Sequence, residues 1–310
     1  MKPGIGIIIY NKFLNTRKFS EHVACLLDAC RKKGIDAKAY GNDFFMPAFI
    51  DGRLRFSDMA EEVLLKSDFV ICFDKDIRTG RALESFKKPL RIFNTISSIA
   101  WSDDKAMTYL KLLNNWKDER LPVIDTFILP MTYENIGYTD MSFIDDIEDK
   151  LHYPVVLKEC FGSFGAQVYL VRDREEFTYR IRSCKGRPMI AQRYIEASEG
   201  TDIRIEVIGD RAVCAMKRTA PPGDFRSNVT NGGTCEAYKA DGSEKALAVS
   251  AVRALGLDFG GVDLMFSHGP SAPADTICEI NSNAHFVNIT ECTGVDVCDL
   301  IVDHIIRNVT

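Results

Sequence analysis

The sequence predicts a mixed α/β and α+β protein built from three units. The chain has 310 residues, which is too many for one small core and enough for two or three units. Strands and helices alternate at the start of the chain, and this alternation is typical of a parallel sheet covered by helices. Later apolar runs are joined by loops with turn residues, which predicts antiparallel hairpins. We place the units at residues 1–96, 97–190 and 191–310.

The composition argues against two classes of partner. A net charge of −5 and a pI of about 5.7 argue against a nucleic-acid groove. The opening apolar run, Ile5–Tyr10, is too short for a signal peptide or a membrane span. The ten cysteines show neither Cys-x-x-Cys nor a Cys/His metal spacing, so we expect small buried thiols in a reducing cytosol. We therefore predict a cytoplasmic protein without nucleic-acid or membrane partners, and homo-oligomerisation stays open.

The first unit has two loops where parallel sheets bind their ligands. Strands are predicted at residues 5–10, 36–40, 69–73 and 91–93, with a helix capped by Ser20 and ended by Gly34. Ligands of open parallel sheets lie beyond the carboxyl ends of the strands. Asn11-Lys12 and residues 74–78 occupy that position. No Gly-x-Gly-x-x-Gly motif follows the first strand, which argues against a dinucleotide site.

The central unit contains a glycine-bearing hairpin. A helix opens at residues 102–105, with Met107, Leu110 and Leu113 on its predicted buried face. Strands at 125–129, 153–158 and 167–171 follow, and the last two flank the loop 159–165. Backbone N–H groups of such a loop can wrap an anion, and Lys158 beside it supplies a positive charge. An ordinary hairpin with glycine at its turn is the alternative, since a lone Gly-x-x-Gly is a weak signal.

The third unit begins with a strand suited to an adenine ring. The apolar strand 188–195 could form one wall of a nucleotide pocket. A hairpin at 203–208 and 211–218 turns at Gly209-Asp210 and puts Arg204 and Glu206 on one face. The loop 217–233 is rich in Arg, Ser, Asn and Gly, whose donors suit phosphate or carboxylate oxygens, although a solvated polar loop is the alternative. Helices are predicted at 243–255 and 296–307.

A late pair of apolar runs brings oxygen donors together. Asp263 lies on the first predicted strand, and Glu279 and Asn281 lie two residues apart on the second, so they share a face. Carboxylate and amide oxygens suit Mg²⁺ or Mn²⁺ rather than soft metals. Magnesium keeps open positions for substrate phosphates, which indicates nucleotide chemistry. The alternative is that Asp263 caps a turn and the other two side chains lie on a solvent face.

Ten short stretches occur in a recognisable order between residue 94 and the end of the chain. They are Asn94-Thr95, Asp104-Lys105, residues 155–158, 162–165, 192–195, 202–204 and 223–228, Gly232-Gly233, and residues 261–263 and 279–281. In this order they resemble the ATP-grasp superfamily, in particular its RimK-like carboxylate–amine ligase branch, the α-L-glutamate ligases. The resemblance implies an ATP-grasp fold, in which a parallel-sheet pre-ATP-grasp domain precedes two α+β subdomains that clasp ATP.

The resemblance also implies roles for individual residues. The nucleotide-binding residues would be Lys105 and Lys158 on the phosphates, Gly162, Ser163 and Gly165 in a loop closing over them, Gln192, Arg193, Tyr194 and Ile195 around the adenine, and Asp202 at the ribose. Arg226, Ser227 and Asn228 would lie near the phosphates and the transferring group, with Arg226 and Asn281 catalytic. Asp263, Glu279 and Asn281 would hold two Mg²⁺ or Mn²⁺ ions, bridged by Glu279.

The implied reaction joins a carboxylate, for example that of glutamate, to an amine through an acyl phosphate. The amine would belong to a small molecule, a peptide or a protein terminus. Arg193 replaces an acidic residue common in the family, and Ser282-Asn-Ala-His replaces Ala-Ser-Pro-Gly after the metal-binding Asn. A lysine-biosynthesis-like ligase, a natural-product peptide ligase, a phosphotransferase and a non-catalytic nucleotide-binding module therefore stay open.

Candidate substrate-binding residues lie mainly in the loop 74–78. Arg78 could bind a carboxylate through two N–H groups, with Lys75 nearby and either Asp74 or Asp76 facing an ammonium. A solvated charged turn is the alternative. Arg204 and His285 are further candidates, and His285 could face the acyl phosphate or the amine or be structural.

Overall fold

A computed structural model describes residues 4–14, 17–117, 119–162, 165–227 and 232–309, and in 17–19 it describes the backbone alone. Ser163 and Asn228, two predicted nucleotide-binding residues, lie outside the described ranges. Within these ranges, every helix is too short or too polar to cross a membrane.

The first unit is built on a four-stranded parallel sheet. Its elements are β1 (Ile5–Tyr10), α1 (Arg17–Lys32), β2 (Asp36–Gly41), β3 (Ala48–Ile50), β4 (Arg53–Arg55), α2 (Asp58–Lys66), β5 (Phe69–Phe73), α3 (Ile77–Glu84), β6 (Arg91–Phe93) and α4 (Ile96–Asp103). The sheet order is β2-β1-β5-β6, whereas β3 and β4 form a separate antiparallel hairpin. All five residues of β5 are buried, as expected for a strand covered on both faces. The four predicted strands are confirmed.

The start of the first helix was predicted wrongly. Helix α1 begins at Arg17, so Ser20 lies inside it rather than at its cap. Serine is only slightly unfavourable within a helix, so its presence does not fix a boundary. Gly34, with φ 73°, follows the helix as predicted.

The central unit is an antiparallel sheet with helices. Its elements are α5 (Lys105–Leu112), β7 (Thr126–Ile128), α6 (Phe143–Leu151), β8 (Val155–Glu159), β9 (Val168–Val171), α7 (Arg174–Ser183) and β10 (Met189–Arg193). The strand order is β7-β10-β8-β9. Because β10 pairs with β7 and β8, it belongs to this sheet, and the predicted limit at residue 190 falls inside that strand.

The buried face of α5 differs from the prediction. Met107, Leu110 and Leu113 are exposed, whereas Tyr109 and Leu112 are buried. Both sets have helical spacing and lie on adjacent faces of the helix. Only the packing of α5 against α8 and the third sheet selects the face that is buried.

The third unit is a five-stranded antiparallel sheet. Its elements are β11 (Thr201–Ile208), β12 (Arg211–Thr219), β13 (Thr234–Ala237), α8 (Gly242–Leu255), β14 (Phe259–Met265), β15 (Thr276–Asn281), α9 (Phe286–Thr293) and α10 (Val297–Val309). The order is β13-β12-β11-β14-β15. Helix α8 starts with a capping box between Asp241 and Glu244 and ends at Gly256, whose φ of 73° favours glycine.

Asn94 joins the first unit to the late hairpin. It is fully buried, and its Nδ2 donates to the carbonyls of Phe259 (2.9 Å) and Ser282 (3.0 Å). Its Oδ1 accepts from the backbone N–H groups of Asp258 (2.6 Å) and Phe259 (3.1 Å). Side-chain oxygen and nitrogen are thus both satisfied, and the ends of β14 and β15 are held against the parallel sheet.

A disulfide also joins the first unit to the third. Cys25 of α1 and Cys298 of α10 form a disulfide with a Cα–Cα distance of 6.2 Å, although 273 positions separate them. The expectation that the cysteines are free thiols is therefore wrong for this pair. The proximity arises because α1 packs against α10, which no local spacing of cysteines can indicate.

Candidate active site

A cavity of about 570 Å³ collects most of the predicted site residues. It is bounded by the third sheet, the β8–β9 hairpin and the carboxyl end of β5. The predicted residues that line it are Lys75, Lys158, Gly165, Gln192, Arg193, Tyr194, Ile195, Asp202, Arg204, Arg226, Ser227, Asp263, Glu279, Asn281 and His285. Lys105 and Gly162 lie at its edge, where the Lys105 ammonium donates to the Gly162 carbonyl at 3.4 Å.

The late hairpin brings its three oxygen-bearing side chains to this cavity. Strands β14 and β15 are antiparallel, and their register puts Asp263 opposite Glu279 and Gly261 opposite Asn281. A register shift after Asp263 adds one residue to β15, so Cys278 also faces the cavity. The two carboxylates and the amide therefore lie side by side, as their spacing in the sequence predicts.

Asp263 belongs to a buried network of charges. Its oxygens accept from Arg204 Nε (2.6 Å) and Nη2 (2.7 Å), and Arg218 Nη2 lies 3.0 Å away. Arg218 also binds both oxygens of Asp202, at 2.6 and 2.5 Å. Burial would raise the pKa of Asp263, but the two guanidiniums outweigh it and hold that pKa below its ordinary value. Glu206 lies on the same face of β11 as Arg204, and burial raises the pKa of its carboxyl to about 7.

Arg218 was absent from the predicted site, and a β-bulge brings it there. Near the turn, Ile208 pairs with Arg211, and counting back along the hairpin would place Lys217 opposite Asp202. The register shifts between Glu206 and Val207, so Arg218 takes that place. The bulge gives Asp202 and Asp263 a shared guanidinium.

Glu279 of the third unit is paired with Lys105 of the central unit. Their charged atoms lie 3.3 Å apart. Burial would raise the pKa of Glu279, but attraction to Lys105 and Lys158 keeps it below the ordinary value of a glutamate. Glu279 therefore stays ionised at neutral pH, which a metal ligand requires.

Lys158 and Gln192 lie on neighbouring strands of the central sheet. Lys158 is 9% exposed, and its ammonium lies 3.6 Å from the Cys278 sulfur. No described carboxylate lies within ion-pair distance of it. Gln192 is buried, and its Nε2 donates to Tyr109 Oη (2.7 Å) and Thr126 Oγ1 (2.9 Å). Lys158 is thus a buried positive charge available to an anionic ligand.

The guanidinium of Arg193 is occupied outside the cavity. It donates to Asp125 at 3.0 Å and to the carbonyls of Lys150 and Leu151 at 2.7 and 3.1 Å. The unusual guanidinium at this position is therefore tied to neighbouring loops.

Arg226 connects the loop after β12 to the loop of the β8–β9 hairpin. Its Nε and Nη2 donate to Asp224, each at 2.9 Å, and its Nη1 donates to the Gly165 carbonyl at 3.1 Å. The guanidinium holds the pKa of Asp224 below its usual range. Arg226 and Ser227 both face the cavity.

The first unit closes the other end of the cavity. Lys75 lines it and is ion-paired with Asp103, and the ring of His285 meets that of His22 edge to face at 4.1 Å. Arg78 is instead exposed at the start of α3 and does not line the cavity. His22 and Cys278 had no motif to identify them; His22 reaches the cavity through tertiary packing, and Cys278 faces it because of the register shift between β14 and β15.

The residues present fit a hard divalent cation. Asp263, Glu279 and Asn281 offer oxygen atoms, and both carboxylates are held in their ionised form by cations. A second group of possible ligands, Cys25, Asp296 and Cys298, lies outside the cavity lining, and its two sulfurs are bonded to each other. Of these two groups, the late hairpin therefore offers the oxygen donors that suit a hard divalent cation.

Comparison with known proteins bears on the family and the fold of this chain. Residues 103–305, more than half of the chain, match the family model of the RimK-like ATP-grasp domain. The "Uncharacterized protein MG012 homolog" of Mycoplasma pneumoniae is 30% identical over 220 residues, which cover 70% of this chain and 73% of the relative. The "Probable alpha-L-glutamate ligase 2" of Hahella chejuensis is 36% identical over 168 residues, 53% of this chain and 54% of the relative, so the match spans about half of its length.

A solved structure shares the whole fold. The ATP-grasp ligase PsnB, in complex with a phosphomimetic variant of its minimal precursor, Mg and ADP, superposes with a TM-score of 0.66 at 16% identity and covers 100% of both chains. At this identity the similarity concerns the fold, and it confirms the predicted ATP-grasp architecture. Fold and family model agree with the ordered stretches in the sequence, and the chain belongs to the RimK-like ATP-grasp family.

Proposed function

We propose that this protein is an ATP- and Mg²⁺-dependent ligase that activates a carboxylate as an acyl phosphate and joins it to an amine. The observation that carries the proposal is the juxtaposition of Asp263, Glu279 and Asn281 with the buried Lys158 in one cavity. Related proteins named α-L-glutamate ligases favour an amino acid such as glutamate as a substrate. The partner substrate would be an amine on a small molecule, a peptide or a protein terminus.

The residues suit each part of this chemistry. Asp263, Glu279 and Asn281 would hold Mg²⁺, one or two ions, which when bound would neutralise charge on phosphoryl oxygens. Lys158 presents a fixed cation to those oxygens in a buried site, where a fixed charge stabilises developing negative charge most effectively. Gln192 and the backbone of residues 193–195 would surround the adenine, and Asp202 would lie at the ribose.

Arg226 is placed to act on the group in transfer. It bridges Asp224 and Gly165, so its orientation is fixed before substrates bind. A preorganised donor of this kind contributes roughly 3–4 kcal/mol to transition-state stabilisation. Enclosure by the surrounding loops would exclude water from the acyl phosphate, which hydrolyses readily.

A substrate screen tests the function. Purified protein is incubated with ATP, Mg²⁺, each of the twenty amino acids and a set of amines, and phosphate release is measured together with the product mass. An amide product with release of phosphate supports the proposal. Phosphate transfer to an acid without any requirement for an amine would identify a phosphotransferase, and ATP binding without turnover would identify a nucleotide-binding module.

We expect Lys158→Ala to raise the apparent KM for ATP about tenfold or more and to slow turnover, because a charge-assisted bond to phosphate is lost. Lys158→Arg should not restore full activity, since a planar guanidinium does not replace a compact ammonium in an enclosed site. Initial rates at varied ATP concentration measure both effects. Lys185→Ala, which removes an exposed lysine of the same unit, is the control, and equal ATP constants for the two alanine variants would contradict the role of Lys158.

A further inference from the structure

The cavity contains a buried carboxylate that the proposed chemistry does not use. Asp74 follows β5, lines the cavity and is 7% exposed. Its oxygens accept from Asn11 Nδ2 (3.3 Å), Asn42 Nδ2 (2.9 Å) and the backbone N–H of Lys75 (2.7 Å). All three donors are neutral. Within the part of the chain that the structure describes, no ion pair includes Asp74, so its negative charge lacks a counterion.

Most of the other charges that line the cavity have a partner of opposite sign. The described ion pairs of its cations are Lys75–Asp103, Arg193–Asp125, Arg204–Asp263, Arg218–Asp202 and Arg226–Asp224. Glu279 is paired with Lys105. Among the buried charges lining the cavity that the structure describes, Lys158 and Asp74 have no partner of opposite sign. The first suits an anionic ligand group, and the second suits a cationic one.

The surroundings of Asp74 select the kind of cation. Because the carboxylate only accepts, Asn42 must turn its N–H₂ group toward it, so this amide offers no oxygen ligand to a metal there. Asn283 Nδ2 donates to the Asp74 carbonyl at 3.3 Å, and Asn283 Oδ1 is buried without a partner among the described residues. An ammonium has three donors and no acceptor, so it matches a cavity lined by both an unpaired carboxylate and a residue with an unsatisfied amide oxygen.

Asp74 lies near the late hairpin, where the reaction is proposed to take place. Asn283, which contacts Asp74, follows Asn281 by two residues at the end of β15. A substrate bound between them would lie beside the late hairpin. Asp76, the alternative carboxylate of the same loop, instead caps α3 by accepting from Arg78 N (3.0 Å) and Thr79 Oγ1 (2.6 Å).

We propose that Asp74 binds the ammonium group of an amino-acid substrate. This inference rests on the proposed ligase function and specifies one substrate class: an amino acid rather than a plain carboxylic acid. A charge-assisted hydrogen bond of about 1.5–3 kcal/mol corresponds to roughly 10- to 100-fold in affinity. Asp74 should contribute to the affinity for the amino acid and not to that for ATP, since it has no part in the predicted ATP contacts.

The test compares an amino acid with its analogue lacking the amino group. Binding of L-glutamate and glutarate to the full chain, with ADP and Mg²⁺ present, is measured by calorimetry. If another amino acid releases more phosphate in the screen, that acid and its deaminated analogue are used. We expect the unmodified protein to bind glutamate at least ~10-fold more tightly than glutarate. Equal affinities would overturn the proposal without any variant.

The matched variants are Asp74→Asn and Asp76→Asn. The first should weaken glutamate binding ~10- to 100-fold, leave glutarate binding unchanged and so abolish the preference, with ADP affinity retained. The second removes a carboxylate two residues away, and it should keep the preference. A preserved preference in Asp74→Asn, with turnover intact, would overturn this inference alone. Failure of every amino acid to support phosphate release by the unmodified protein would instead reject the ligase function.

Discussion

Replacing Glu279 by glutamine is expected to reduce Mg²⁺-dependent phosphate release at least ~100-fold, by analogy with the loss of one transition-state stabiliser. The change keeps the shape of the side chain and removes the negative charge that lies opposite Asp263 and 3.3 Å from Lys105. A metal held by Asp263 and Asn281 alone would lose half of its carboxylate ligands. The Lys105 ammonium would also lose its partner and would be less well oriented.

Two measurements separate metal binding from general damage. Calorimetry with Mn²⁺ in the presence of ADP should show weaker metal binding to Glu279→Gln, and thermal unfolding should show that the variant is folded. Glu236→Gln, which changes an exposed residue of β13, should keep full activity. Near-normal Mg²⁺-dependent phosphate release by Glu279→Gln would exclude the late hairpin as the metal site.

Replacing Asp263 by asparagine is expected to lower the free energy of unfolding by about 3 kcal/mol or more, the usual effect of removing one partner of a buried ion pair. Asp263 is 4% exposed and bonds to both Arg204 and Arg218. Asparagine cannot neutralise either guanidinium. The variant would therefore bury two arginines, of which only Arg218 would keep a carboxylate partner, Asp202. Denaturant unfolding measures the loss.

A double variant shows whether charge imbalance causes this loss. Arg204→Gln combined with Asp263→Asn removes one charge of each sign, so it should be at least ~1 kcal/mol more stable than the sum of the single changes predicts. Glu62→Gln is the matched control, because its ion pair with Lys66 is exposed and should contribute less than ~1 kcal/mol. A loss no larger than that of the control would show that the buried network does not stabilise the fold.

The single variant Asp263→Asn should also change how the free energy of unfolding depends on pH. The folded-state pKa of Asp263 is lowered, so its contribution is fully present above the unfolded value of about 3.9 and is lost as the pH falls through the folded value. Asp263→Asn should therefore lose less stability than the unmodified protein on acidification below about pH 4. Parallel acid dependences of the two proteins would contradict this assignment.

The sequence by itself determined the parts of the fold that depend on local patterns. Strand–helix alternation indicated the parallel sheet, because buried parallel strands require helical crossovers. The spacing of Glu279 and Asn281 indicated a shared face on one strand, since side chains on a strand repeat every two residues, and Asp263 lay on the neighbouring predicted strand. Their chemistry favours hard cations over soft metals, and the order of the ten stretches indicated the family.

Only the tertiary structure decided the features that depend on contacts between distant elements. The bulge in β12 selected Arg218 over Lys217, packing selected the buried face of α5, and the meeting of α1 and α10 joined Cys25 to Cys298. Periodicity cannot settle such choices, because neighbouring faces and registers satisfy it equally well. The loop after β5 shows the same limit: charge made Arg78 a candidate for a carboxylate and left Asp74 and Asp76 as alternatives for an ammonium. In the structure Asp76 caps a helix, Arg78 is exposed to solvent and Asp74 lines the cavity.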